Sequence, residues 1–280
     1  MIMTRNQIVF TIATIASLSI LVGYLAASND SLIDENPLNP ASISEYQFEK
    51  KSSSQWALPK LLREISGIAV VDNQRLLIHQ DETVVVYLFD VDTQLVTPLF
   101  QLGEPALKRD IEGIALLQSD VYLITSTGAI YKVTDGLNRS GVIEDYVVFD
   151  TGLADVCEIE GLDEDLTKRS LVLACKQMFV KDADYISVYQ FTPETNQTAR
   201  LFDISFADIG QPVRATAITT RFDHYIVLFG KKNLLAQIAE NGSVVGIQSL
   251  KKKLHPQSEG LGFLEDGRLV LADEGKKGRG

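Results

Sequence analysis

Histidine, cysteine and tryptophan are scarce in these 280 residues, at three, two and one copies. That scarcity excludes several chemistries at once. His79, His224 and His255 form neither an H-x-x-H nor an H-E-x-x-H pattern, so the usual helical zinc-hydrolase arrangement is missing. There is no G-x-S-x-G nucleophile turn and no phosphate-cradling P-loop. Positive charge is also short: 26 Lys and Arg stand against 37 Asp and Glu, a net charge of -11. Nucleic acid and anionic lipid surfaces are therefore poor partners, because both need a positive footprint. After residue 45 no convincing amphipathic helix is present.

What is present begins with apolar weight. At 45% hydrophobic and 22% charged residues the chain is an ordinary globular one, able to bury a core. Ile8 to Ala27 carries no charge and follows Arg5. About twenty residues at 1.5 Å each cross a hydrocarbon layer of about 30 Å, and the basic flank stays in the cytoplasm. The expectation is a signal anchor over 1–27, a linker over 28–44 and one domain over 45–280. The domain would face the periplasm from a single-pass inner-membrane tether. Signal cleavage after Ala26-Ala27, with release to the periplasm, is the alternative.

The domain repeats a phrase of acid, small or acidic residue, Gly and apolar run. Its clear copies are Asp110-Ile111-Glu112-Gly113, Glu158-Ile159-Glu160-Gly161 and Gln257-Ser258-Glu259-Gly260. Looser copies are Glu64-Ile65-Ser66-Gly67 and Arg214-Ala215-Thr216-Ala217, and the successive Gly or Ala positions lie 46, 48, 56 and 43 residues apart. Each phrase opens a series of short strands rich in Val, Ile, Leu and Tyr, separated by polar turns. Four strands per forty to fifty residues describe a propeller blade. The expected fold is an all-β propeller of five four-stranded blades, alternatively six, after one N-terminal transmembrane helix. The last repeat stops after its second strand, so Tyr46 to Lys50 is expected to supply a strand from the N-terminal side. A third strand is then still lacking, which leaves truncation or imperfect closure open.

In such a fold the phrase lines the central channel at one mouth. Glu64, Asp110, Glu112, Glu158, Glu160 and Glu259 gather there with Asp81, Glu82, Asp273 and Glu274. Crowded carboxylates need a cation or bound protons, and a hard divalent ion, Ca²⁺ before Mg²⁺, suits all-oxygen ligands. Glu112, Glu160, Glu259 and Asp273 are the candidate metal ligands. Equally, the Gly of each phrase permits close approach of neighbouring inner strands, and its carboxylate accepts hydrogen bonds from the next blade. Lys176 and Lys231, with Lys232 and Arg214 nearby, are candidates to hold an anionic ligand. Cys157 and Cys175 fall nearly opposite each other if 161–175 is a hairpin, which allows a disulfide; two small buried hydrophobes is the other reading.

The order and spacing of Leu61-Leu62-Arg63-Glu64-Ile65-Ser66-Gly67, Asp110 to Gly113, Glu158 to Leu162 and Ser258 to Glu274, behind a membrane segment, resemble the SdiA-regulated (YjiK-like) propeller proteins of bacteria. The resemblance covers roughly residues 45 to 275. It implies an envelope propeller related to phytase-like propellers that bind calcium, with no defined reaction. The expected function is a tethered periplasmic binding protein for an envelope protein or a small anionic ligand, with structural calcium. A calcium-dependent phytase-like phosphoesterase is the alternative.

Overall fold

The computed structural model describes residues 42–46, 48, 54–221 and 223–275, with the backbone of 10–11 and 20–24. Five antiparallel-based sheets follow one another. The first blade holds β4 (Ile65–Val70), β5 (Arg75–Gln80), β6 (Val85–Asp90) and β7 (Val96–Leu102), after three N-terminal strands, β1 (Phe10–Thr11), β2 (Ile20–Tyr24) and β3 (Ser54–Ala57). The second holds β8 (Ile111–Leu117), β9 (Asp120–Thr125), β10 (Ala129–Val133) and β12 (Val147–Asp150), with β11 (Gly141–Ile143) between them in sequence. The third comprises β13 (Cys157–Asp165), β14 (Ser170–Met178), β15 (Tyr185–Thr192) and β16 (Gln197–Ser205). The fourth comprises β17 (Ala217–Arg221), β18 (His224–Phe229), β19 (Leu234–Ala239) and β20 (Val244–Ser249). The last pairs β21 (Ser258–Phe263) with β22 (Leu269–Asp273) and continues through β2, β1 and β3.

The inner strands touch in order, β4 to β8 to β13 to β17 to β21 and back to β4, so the sheets form a closed ring. Strand alternation explains the core. A blade has two faces, and each buries its apolar residues against a neighbour. Accordingly five apolar clusters fill the five joints. Ile114, Leu123 and Phe100 lie between the first and second blades, for example, and Ile218, Val227 and Phe202 between the third and fourth.

Closure differs from expectation. Tyr46 and Phe48 do not form the added strand; they are buried between the fourth and fifth blades beside Ile226, Leu235 and Leu271. The Tyr46 hydroxyl donates to the Gly267 carbonyl at 2.7 Å, and the Ile43 amide donates to Gln237 Oε1 at 3.0 Å. Residues 47, 49 and 50 lie outside the described residues. The strands that extend the last sheet are β2, which pairs antiparallel with β22, and β1 and β3, which pair parallel with each other. Trp56 of β3 then packs edge-on against Phe89, its ring centroid 5.7 Å away, and seals the joint to the first blade.

Most of the uncharged run 8–27 lies outside the described residues; its described pieces are the strands β1 and β2. No helix among the described residues is long and apolar enough to cross a membrane. A second departure is β11, which leaves the second blade to pair parallel with β7 and makes the first sheet five-stranded.

Candidate functional site

The repeated phrase marks a bulge. In β4, β8, β13 and β21 the residue before the Gly is an extra one, with no partner on the second strand: Ser66, Glu112, Glu160 and Glu259. An inserted residue bends its strand and re-aims its side chain. The following Gly has a separate task. A Cβ on Gly113 would stand 2.7 Å from Leu162 Cβ and 3.1 Å from the Leu162 amide, and one on Gly161 3.1 Å from the Ile218 amide. Both contacts are with the inner strand of the next blade, so the absent side chain lets the strands converge on the axis.

The bulged side chains face one another at one end of the channel. Ser66 Oγ donates to Glu112 Oε2 at 3.2 Å. A second bulge in the third blade leaves Lys176 of β14 as the extra residue, and its ammonium reaches Glu158 Oε1 at 2.8 Å and Glu160 Oε2 at 2.9 Å. Burial lowers the affinity of Lys176 for its proton, but these two carboxylates outweigh it and hold its pKa above the ordinary value. Lys176 is therefore occupied inside the ring rather than free to grip an anion.

One ammonium does not balance three buried carboxylates. Burial, then Glu160 and Asp110, push Glu112 up to about 7, against the partial help of Lys176 and Ser66. Burial, then Glu160 and Glu274, push Glu259 up to about 9. Glu160 is also raised, chiefly by burial, with Lys176 pulling the other way. The ring thus retains protons near neutrality. Glu259 is only 9% exposed, and its Oε2 is buried with no hydrogen-bond partner. Outside the ring, Asp81 is raised by burial and then by Glu64, Glu82 and Asp110, which form an acidic rim on the first and second blades.

Not every expected ligand comes to the ring. Asp273 is fully buried in the last blade, where Ser258 Oγ donates to one oxygen at 2.7 Å and His255 Nδ1 lies 3.0 Å from the other. It ties the two strands of that blade to the preceding loop. Among the described residues no three His, Cys, Asp or Glu side chains are grouped to hold a metal ion. Lys231 lies on the short turn Gly230–Lys232 in a neighbouring cleft, close enough to Glu160 to stabilise its charged form.

Cys157 and Cys175 are joined, with Cα atoms 5.8 Å apart. They sit diagonally: Cys157 faces Met178 and Cys175 faces Ile159, the offset being the Lys176 bulge. The disulfide thereby clamps the two strands that present Glu158, Glu160 and Lys176. The sequence signal of the bulges is the residue directly before each Gly, an acid in three copies and Ser66 in the other. The fourth blade carries no acid at this point: Thr216 precedes Ala217, and the Thr216 amide donates to the carbonyl of Leu228, the residue that Ala217 faces. Its Thr216 instead donates through Oγ1 to the Ser258 carbonyl of the last blade at 2.8 Å.

No family model matches the sequence, and no curated protein matches it. Among solved structures the chain is similar to virginiamycin B lyase from Staphylococcus aureus, with a TM-score of 0.46 and 11% identity over 91% of this chain and 76% of that one. It is also similar to a chain of the nidogen/laminin complex, with a TM-score of 0.49 and 13% identity over 95% and 97%. A Bacteroides thetaiotaomicron protein of unknown function gives a TM-score of 0.51 and 15% identity over 74% of this chain and 52% of that one. This likeness concerns the β-propeller fold and transfers no residue's role.

Proposed function

We propose that this chain is an exported, membrane-tethered binding propeller of the SdiA-regulated (YjiK-like) kind, which receives a cationic group of a ligand or envelope partner at the ring of Glu112, Glu160 and Glu259. The observation that carries the reading is Glu259 Oε2, buried at the channel mouth with no hydrogen-bond partner among the described residues. A buried carboxyl oxygen left unpaired costs about 1–3 kcal/mol, which an incoming donor or cation would recover. An ammonium fits the ring better than Ca²⁺, because Glu160 is already paired and Asp273 is engaged elsewhere. Export is supported by Arg5 before the uncharged run and by the Cys157–Cys175 bond, which persists in oxidising compartments.

Titration calorimetry of the full chain with putrescine and with CaCl₂, beside melts in EDTA, tests the ring. Saturable heat with putrescine that is lost in Glu259→Gln is the expected result. No heat and no change of melting temperature with either cation would sink the proposal. Ca²⁺ uptake followed by turnover of a phosphomonoester, abolished in Glu112→Gln, would favour the calcium-dependent phosphoesterase instead. Protease accessibility of the propeller in sealed membranes reads the tether separately.

A further inference from the structure

Beside the acidic ring, between the third and fourth blades, lies a cleft of about 520 Å³. Its size is that of a small-molecule site, for which about 300–1,000 Å³ is usual. Arg214 precedes β17, Lys231 and Lys232 follow β18, and all three are exposed at its wall. In a chain of net charge -11, cations normally find carboxylates. These three form no ion pair among the described residues, and Asp182 is the one acidic side chain lining the cleft. The opposite wall is apolar, made by Val180, Tyr185 and Phe206, with Val180 59% exposed and Phe179 beside it 51% exposed.

The two walls call for different halves of one molecule. An inorganic anion would satisfy the cations and leave the apolar wall wet, whereas a neutral apolar ligand would leave the cations idle. The geometry points to a site for an amphipathic organic anion, its carboxylate or phosphate head on Arg214, Lys231 and Lys232 and its aryl or acyl body against Val180, Tyr185 and Phe206. Arg supplies a planar fork for the head and the lysines supply point charge. Lys231 borders both the cleft and the carboxylate ring, so an anion here removes part of the field that keeps Glu160 charged.

The test uses the full chain and anilinonaphthalene sulfonate, an aromatic organic anion whose fluorescence rises in apolar surroundings. Saturable binding of one dye per chain is expected, displaced by octanoate but not by inorganic phosphate at the same concentration. The triple variant Arg214→Gln, Lys231→Gln, Lys232→Gln should weaken dye binding by at least about tenfold at unchanged melting temperature. Val180→Asp, at an exposed position that spares the core, should weaken it in the same direction. Undiminished binding in both variants overturns the site, and displacement by phosphate as effective as by octanoate overturns the ligand class. Calcium or putrescine titration reads different groups, so failure there and failure here are distinguishable.

Discussion

The fourth blade is built differently from its four neighbours at the channel mouth. Elsewhere the inner strand carries a bulged residue and then a Gly; here Thr216 and Ala217 stand in their place, with Ala217 paired to Leu228 and Ile218 to Val227 of β18. The chemistry changes with the residues. Three blades direct the carboxylate before their Gly into the ring, whereas the fourth turns its Thr216 hydroxyl to the Ser258 carbonyl and sets Arg214, Lys231 and Lys232 around an adjoining cleft. A repeat that must make the same joint five times keeps its Gly for packing. The residue before the Gly is left free to vary, and it is there that the blades diverge in charge.

The sharpest break in this comparison is Gly113→Ala. Its Cβ would meet Leu162 Cβ at 2.7 Å and the Leu162 backbone at 3.1 Å, and backbone cannot move aside as a flexible side chain does. Urea denaturation should show a loss of about 3 kcal/mol or more. Stability within about 0.5 kcal/mol of the parent would mean that the inner strands are not held at closest approach by the Gly positions.

Next in size is the pH dependence of the ring. Glu259 has an ordinary value of 4.5 and is pushed up to about 9 in the fold, so the folded state binds the extra proton between those limits. Stability from this group is fully present below pH 4.5 and is lost as pH rises through about 9. Glu259→Gln cannot ionise. Relative to the parent it should gain on the order of 2 kcal/mol between pH 5 and pH 9, less than the shift alone implies because Glu160 and Glu112 share the repulsion. Glu112→Gln should show the same sign over a narrower window, from 4.5 to about 7. Melts in which the gap between parent and Glu259→Gln stays constant across that range would remove the ring's protons from the account.

The strand repeats and the gathering of Glu112, Glu160 and Glu259 were legible because both follow from a local phrase with a fixed period. Closure was not. Tyr46-Gln47-Phe48 alternates as a strand does, yet Tyr46 and Phe48 plug the joint between two blades, and alternation alone does not distinguish a sheet face from a plug. Strand β11, three residues long, is too short to leave a pattern. The partners of Asp273 were hidden for another reason. The sequence shows a carboxylate after an inner hairpin but not that His255, 18 residues away, and Ser258 occupy it. Lys176 likewise looked like a free cation because the bulge that carries it toward Glu160 depends on pairing across two strands.

Ala217→Gly gives the smallest effect and probes the comparison from the opposite side. If the Gly of the other blades were needed for the phrase itself, restoring it in the fourth blade would be neutral or favourable. The structure argues otherwise. Ala217 is 8% exposed and packs with Ile226, Leu228 and Leu261 in the joint to the last blade. Removing its methyl forfeits that contact and adds backbone freedom to the unfolded chain, a loss of about 1 kcal/mol by denaturant titration. A stabilised Ala217→Gly variant would instead place the fourth blade under the same steric demand as the others.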